Sequence, residues 1–405
     1  MGNVTKSQAQ NILSPNGNSL AVYIDGVSGV ISLKDVQGNT EPLSNYIASG
    51  DTSPFEYNAN NSGIQPKLNS NNAIGNNSFI GGGEFNSSCG TNSIVVGGYC
   101  NTSQATSFIG GGEYNYGGGG FSSVINGYCN SASANDSVII GGQCNTSSNL
   151  FSFVGNGSCN NAQGEKSFIG NGCGNYIGGN YSFIGNGANN CVTGNHSTII
   201  SSSGSCVTGS YSSIVSGGGN YNYCDFSFVG GGCRNIIEGI SSSIVGGSYN
   251  KTCAELSSIL GGSGAITLRY GEIAKASGFI NREGDVQLID LTAFANAPFG
   301  GSAYLTLDGD SIPFNIPDGY VVFLTIKTFG FDFVSGKSAS IFDYIVIRNI
   351  SGASIIYQNN IMKFTDVGYS VTLSLAGSNL RILGNSPSIN PMKWIAHLSG
   401  VQIQQ

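Results

Sequence analysis

Ser78-Phe79-Ile80-Gly81-Gly82-Gly83-Glu84-Phe85-Asn86 decides the architecture, because the chain repeats its pattern. Matching segments start at Ser93, Ser107, Ser122, Ser137, Ser152, Ser167, Ser182, Ser197, Ser212, Ser227, Ser242 and Ser257, thirteen copies in all. Eleven of the twelve steps are 15 residues and one is 14. A fixed period of this size marks stacked, equivalent structural units.

Numbered from the Ser, column one is Ser in every copy and column three is always Ile or Val. Column six is Gly except at Ser202, and column nine is Asn except at Ser205 and Ala265. Two of these exceptions share one copy, which reads as a local irregularity. Columns two and four vary together. Phe in column two is always followed by Gly in column four, as in Phe79/Gly81, Phe168/Gly170 and Phe228/Gly230. A smaller column two brings a branched aliphatic in column four, as in Ile94/Val96, Thr198/Ile200 and Ser258/Leu260. Residues two apart on a strand share a face, so these pairs fill one space of constant volume.

Ser-x-Ile-x is therefore a short strand with apolar side chains on both faces, and the Gly and Asn after it are turn chemistry. Each copy reads as one coil of an all-β, parallel β-solenoid. Thirteen coils at ~4.8 Å would make a rod on the order of 60 Å. So thin a coil has room for one face of the strand, and the other face needs a partner. The volume-compensated columns two and four are expected inside the coil. The uniform Ile/Val of column three is expected at an interface between chains, most simply on the axis of a homotrimer.

The motif Ser-Phe-Ile-Gly-Gly-Gly-x-x-Asn resembles the coil repeat of trimeric autotransporter adhesin heads, and is closer still to Gly/Asn-rich solenoids of phage structural proteins. The lead-in Gly63-Ile64-Gln65-Pro66 and Ala73-Ile74-Gly75-Asn76-Asn77 is similar to how such arrays begin. Ala276-Ser277-Gly278-Phe279 followed by Gly284-Asp285-Val286-Gln287 resembles the junction to a recurrent C-terminal β domain of phage tail and fibre proteins. Leu307-Asp308-Gly309, Ile316-Pro317 and Trp394-Ile395-Ala396 match features of that domain. The resemblance implies left-handed coils in a homotrimer. It also implies a head or tail fibre of a tailed phage, held to a capsid or tail protein by its N-terminus, with the C-terminal domain contacting a host-surface glycan or receptor. The expected location is the virion, assembled in the host cytoplasm. A bacterial trimeric surface adhesin is the alternative, and Met1–Gln8 does not lead into the apolar core of an export signal.

Three regions follow: 1–62 as an N-terminal virion-attachment module, 63–282 as the solenoid shaft, and 283–405 as a C-terminal antiparallel β-sandwich that caps the shaft or binds a receptor. In the first, Leu20–Gly26 and Gly29–Asp35 read as two strands around a Gly turn. In the last, Ala303–Leu307, Tyr320–Ile326, Tyr344–Arg348, Tyr369–Leu375 and Ile395–Leu398 read as strands.

Only 9% of residues are charged, the net charge is −7 and no basic run occurs, which argues against a nucleic-acid surface. No apolar stretch approaches the ~18 residues of a membrane span, so no membrane insertion is expected. Eleven Cys without a CxxC, and only two His, speak against a zinc site or disulfide framework. No cofactor is expected. The Gly runs lack the Lys-Ser/Thr ending of a phosphate loop.

Glu84 and Glu113 occupy column seven two coils apart, roughly 10 Å by coil spacing. The carboxylates of inverting glycosidases sit ~6.5–9.5 Å apart, so the spacing is marginal for a tailspike-like polysaccharide depolymerase, which is a further alternative. Because other acidic and basic groups are scarce around them, the chain is expected not to be an enzyme, with no catalytic, cofactor or metal residues and no assigned receptor-binding residue. Tyr99, Tyr114, Tyr116 and Tyr128 near the turns would suit either sugar stacking or structural cover. Cys100, Cys129, Cys144 and Cys159 share column eight and read as small buried hydrophobes. Asp308-Gly309-Asp310 reads as a hairpin turn, with cation contact as its alternative. His196 and His397 receive no role.

Overall fold

The computed structural model describes residues 70–278 without a break, and around them 11–13, 19–24, 31–34, 40–42, 55–57, 63–67, 286–297, 302–308, 310–332, 334–335, 337–349, 353–365, 369–387 and 392–404. Among these residues there is no helix, so the chain is all-β. Two compact units form, Met1–Asp136 and Ser137–Gln405.

The first unit opens with an antiparallel meander. Ser19–Ile24 pairs with Asn11–Leu13 on one side and Ile31–Lys34 on the other, with Val22 opposite Leu33. The expected two strands are present. Their turn lies outside the described residues. Coils begin at Gly63, one repeat before the first Ser: Gly63 lies opposite Ser78 and Ile64 opposite Phe79, in parallel. Each coil carries two short strands, such as Ile94–Val95 and Thr102–Ser103. Each strand pairs in parallel with its equivalents one coil before and after. The second unit continues the plan through Ser258–Ser263 and closes it with Ile273–Ser277.

The inside of the coil is opposite to the sequence expectation. Every column-three Ile or Val, from Ile80 to Ile259, is 0% exposed within the single chain. Columns two and four face outward, with Val245 55% and Leu260 58% exposed. Column three is therefore the core and not a chain-to-chain axis. The reason is space. Each level of the interior already holds the buried residues of columns one, nine and eleven, with Ser205 and Ala265 in place of Asn and Gly117 at one column-eleven position. One β-branched side chain completes it, at about 1.5–3 kcal/mol for burial of each, and a phenyl ring does not fit. The volume exchange between columns two and four is real but happens outside. A Cβ added to Gly81 would lie 3.1 Å from the Phe79 ring, and one on Gly185 3.2 Å from the Phe183 ring. Each ring lies down over the glycine two residues on.

Column nine explains the buried polar interior. Asn86 Nδ2 donates to the Gly82 and Gly98 carbonyls at 3.1 and 2.9 Å, and its Oδ1 accepts the Asn101 amide at 3.0 Å. The ladder recurs in the second unit, where the Asn160 amide donates to Asn145 Oδ1 at 3.0 Å and the Asn175 amide to Asn160 Oδ1 at 3.1 Å. Each amide side chain thus satisfies backbone groups that a thin coil leaves without strand partners.

Beyond the last coil, Val286–Ala297 pairs with Ile273–Ser277 and Met392–Gln404, followed across the sheet by Tyr320–Asp332, Ser338–Asn349 and Ala353–Thr365, all antiparallel. In a second sheet, Asn379–Asn385 pairs with Ala303–Leu305, Phe314–Asn315 and Ser370–Ala376. The sheets share one buried core, including Leu324, Ile345 and Leu398 from the first and Leu305, Phe314 and Ile382 from the second. Trp394 lies between Gly330 and Gly384, where a Cβ at either glycine would come within 2.3 Å of the ring.

The solenoid ends in a buried ion pair. Glu272 takes the column-one place of Ser, and Arg269 lies three residues before it. Arg269 Nη1 meets Glu272 Oε1 at 3.2 Å, with both side chains almost fully buried. Arg269 also donates to the Asn315 carbonyl and to Gln402 Oε1, each at 2.6 Å, and its guanidinium lies over the Phe314 ring. Desolvation lowers the Arg269 pKa and raises that of Glu272, whose carboxylate accepts the Leu268 and Arg269 amides. These bonds tie the last coil to both sheets of the C-terminal domain.

Candidate functional site

In the first unit, one corner of the coils collects exposed aromatic and acidic side chains. Column seven stacks Glu84, Tyr99, Glu113 and Tyr128 by successive parallel bridges. Column eight, next to it, turns through positive φ even without glycine, at 57° for Phe85 and 56° for Tyr114. A bulky residue in this conformation is tolerated where the surrounding ladder fixes the backbone, and here it sends the rings into solvent.

The rings form a herringbone. Phe85 meets Tyr99 at 5.5 Å and 75°, Tyr99 meets Tyr114 at 5.6 Å and 76°, and Tyr114 meets Tyr128 at 5.7 Å and 74°. An edge-to-face contact covers a ring with only the rim of its neighbour, so ring surface stays open. A ladder in the second unit differs. Tyr181, His196, Tyr211 and Phe226 stack face to face at 4.8–5.3 Å and within 9° of parallel, so their faces cover one another. Sugars pack C–H groups onto ring faces, and the herringbone presents such faces beside two carboxylates, although the stacked Tyr211 and Phe226 are the more exposed rings, at 57% and 62% against 36–51%.

Glu84 and Glu113 are exposed, with Tyr99 on the rung between them. The Tyr99 hydroxyl is held above its ordinary pKa, first by the neighbouring Cys100 thiol and then by Tyr114. From 68 to 165 the sequence has no Lys, Arg or His. The corner thus offers hydroxyl groups, ring faces and two carboxylates. That set suits hydroxyl-rich ligands and repels anionic ones.

The structure separates the other candidates from this corner. Tyr116 lies on the second strand, donates to Gln104 Oε1 at 3.0 Å and folds over Gly118, so it is a structural cover. Cys129 and Cys159 are exposed, which corrects the reading of the column-eight cysteines as buried hydrophobes. The positive φ of column eight turns them outward as it does Phe85. Asp308 accepts the amides of Asp310, Ser311 and Ile312 at 2.8–3.0 Å, the bonding of a turn that closes on itself. Desolvation works to raise its pKa, but bonds from Ile312, Asp310 and Ser311 outweigh it and leave the carboxyl well below its usual range. His397 Nδ1 lies 3.5 Å from Asp290 Oδ1. Among the described residues, no three His, Cys, Asp or Glu converge as metal ligands would.

Sequence reading missed one cysteine pair. Cys191 and Cys206 lie side by side in adjacent coils. A hydrogen bond from Cys206 lowers the Cys191 pKa to about 7 and pushes that of Cys206 up. Their matching place in column ten was the available signal.

No family model and no curated protein sequence matches the chain. Among solved structures it is similar to the tailspike gp49 of Acinetobacter baumannii bacteriophage Fri1, described as a capsular polysaccharide depolymerase, at 9% identity and TM-score 0.21 over 80% of this chain and 66% of that one. It is also similar to the tailspike of Acinetobacter baumannii phage AM24, at 8% identity and TM-score 0.22 over 99% and 92% of the two chains. For the tailspike of Acinetobacter phage vB_ApiP_P1 the values are 10% and 0.23, over 82% and 76%. At such TM-scores the likeness carries no argument for a role of this chain. The expectation of a non-enzyme is withdrawn beside a neighbour described as a capsular polysaccharide depolymerase.

Proposed function

We propose that this protein is a tailspike-like fibre of a tailed-phage virion, a homotrimer of left-handed solenoids with a C-terminal β-sandwich, that engages a host-surface polysaccharide. The observation carrying the glycan reading is the open herringbone of Phe85, Tyr99, Tyr114 and Tyr128 beside Glu84 and Glu113. A purified panel of neutral and acidic capsular polysaccharides tests it. Wild type should retain a neutral member, and Tyr99→Ala/Tyr114→Ala should lose roughly tenfold or more in affinity, since stacked rings contribute about 1 kcal/mol each. Equal binding by the variant would remove this corner from glycan contact and leave the C-terminal domain as the place to look.

Cleavage of the same polysaccharide is the second reading, favoured by the two carboxylates that flank Tyr99 in one column. In an inverting hydrolysis one of them protonates the leaving oxygen and the other activates water. New reducing ends should appear with wild type and fall at least a hundredfold with either Glu84→Gln or Glu113→Gln. Unchanged cleavage by both variants would place the chemistry elsewhere.

A further inference from the structure

We infer that the second unit assembles with further copies of this chain through one continuous outer face, which runs from columns two and four of the solenoid onto the outside of the large C-terminal sheet. This rests on the homotrimer reading above and names the surface that makes it.

The register shows the continuity. Ser258 in column two lies beside Ile273, Ile273 beside Asp290, Asp290 beside Ser399, Ser399 beside Thr325 and Thr325 beside Tyr344. Paired residues share a face, so the outward side of the coils and of the C-terminal sheet are one surface. On the solenoid it holds no charged residue at columns two and four from Val138 to Leu260. On the C-terminal sheet, Leu288, Phe294, Phe323, Phe329, Tyr344 and Ile395 are all exposed. Their neighbours along each strand, such as Ile289, Leu324, Ile345 and Trp394, fill the core. An antiparallel sheet with water on one side alternates apolar and polar residues. Here the outer side also carries Asp290, Lys327, Arg348, Lys393 and His397, yet large apolar side chains stand between them on every one of these strands, more than a solvated face holds.

Three observations select another copy as the cover. The stripe repeats every 15 residues in parallel register, and a second solenoid of the same sequence has the same spacing along its whole length. The Phe/Gly exchange keeps the outer ridge of constant thickness, which matters only against something equally regular. The extent is sufficient: nine coils give a strip of roughly 400 Å² and five long strands roughly 700 Å², from strand spacing and rise, against ~800 Å² per partner in a standard interface.

The test is native mass spectrometry of the full chain at about 10 µM, with circular dichroism to confirm folding. Wild type should be a trimer. Val245→Lys/Leu260→Lys places charge on the face at positions already exposed in the single chain, and should give a folded monomer. Thr193→Lys/Thr208→Lys, exposed on the second strand row, should remain trimeric. Phe323→Lys/Phe329→Lys repeats the test on the C-terminal sheet in case the solenoid variant does not fold, and should also dissociate. A trimeric wild type whose face variants stay trimeric would overturn this surface and leave the homotrimer standing. A monomeric wild type would overturn both.

Discussion

Ser202 and Ser205 share a hydrogen bond of 2.6 Å inside a coil where every other copy places Gly in column six. Elsewhere the column-six glycine has positive φ, and a Cβ there would meet both the next coil's carbonyl and the column-nine Asn amide, at 2.0 and 2.5 Å for Gly172 and 1.9 and 2.9 Å for Gly232. Ser202 leaves the positive-φ region, and shortening Asn to Ser at 205 makes room for its side chain. Ser205 still accepts the Asn220 amide at 3.0 Å and donates its own amide to Asn190 Oδ1 at 3.1 Å, so the ladder is unbroken.

Ser205→Asn alone should therefore destabilise the second unit, by about 1–3 kcal/mol for an overpacked core. Ser202→Gly/Ser205→Asn should recover most of that loss. Denaturant midpoints of the two singles and the double give the coupling directly. Additive effects would mean that the two exceptions in this coil are unrelated.

The outer exchange makes a parallel prediction. Gly170→Ile should be costly, because its Cβ would lie 3.5 Å from the Phe168 ring and 2.4 Å from the Gly185 carbonyl oxygen. Phe168→Thr/Gly170→Ile copies the Thr198/Ile200 arrangement and should melt within a few degrees of wild type. A double variant no more stable than Gly170→Ile would show that the backbone, and not the ring, fixes column four.

Arg269→Met should be among the most damaging single changes in the second unit. It leaves the Glu272 carboxylate buried without its cation, a loss of about 3–5 kcal/mol. Arg269→Met/Glu272→Leu should be milder, because no unpaired charge remains. Limited proteolysis of the Ile266–Val286 stretch reports whether the C-terminal domain has come loose from the last coil. Equal damage from single and double would assign the role to the Gln402 and Asn315 bonds.

Acid should weaken what Asp308 contributes. Its folded pKa lies below the ordinary carboxylate value, so its contribution is fully present above the unfolded pKa of about 3.9 and is lost as pH falls through the folded one. The melting difference between wild type and Asp308→Ala should be constant above about pH 5 and shrink below about pH 4. A difference that grows in acid would reverse the sign.

Much of the fold was legible because a repeat reports itself thirteen times over. The strands of the C-terminal domain were legible from alternation, although Val286–Ala297 and Ala353–Thr365 were missed, and both are longer than the runs that were read. The aromatic corner was visible as residue types, but its herringbone geometry and the diversion of Tyr116 to the second strand were not. Arg269 and Glu272 gave no signal, since Arg269 meets Gln402, which lies 133 positions away.

By itself the sequence determined the period, the coil, and the rule that columns two and four share a constant volume. It did not determine which side of the coil those columns occupy, because strand alternation is the same viewed from either face. Only the closed coil decides that. The Ser, Asn and column-eleven residues converge on an interior that takes one column-three Ile or Val per level, and the rings are left outside, lying over their glycines.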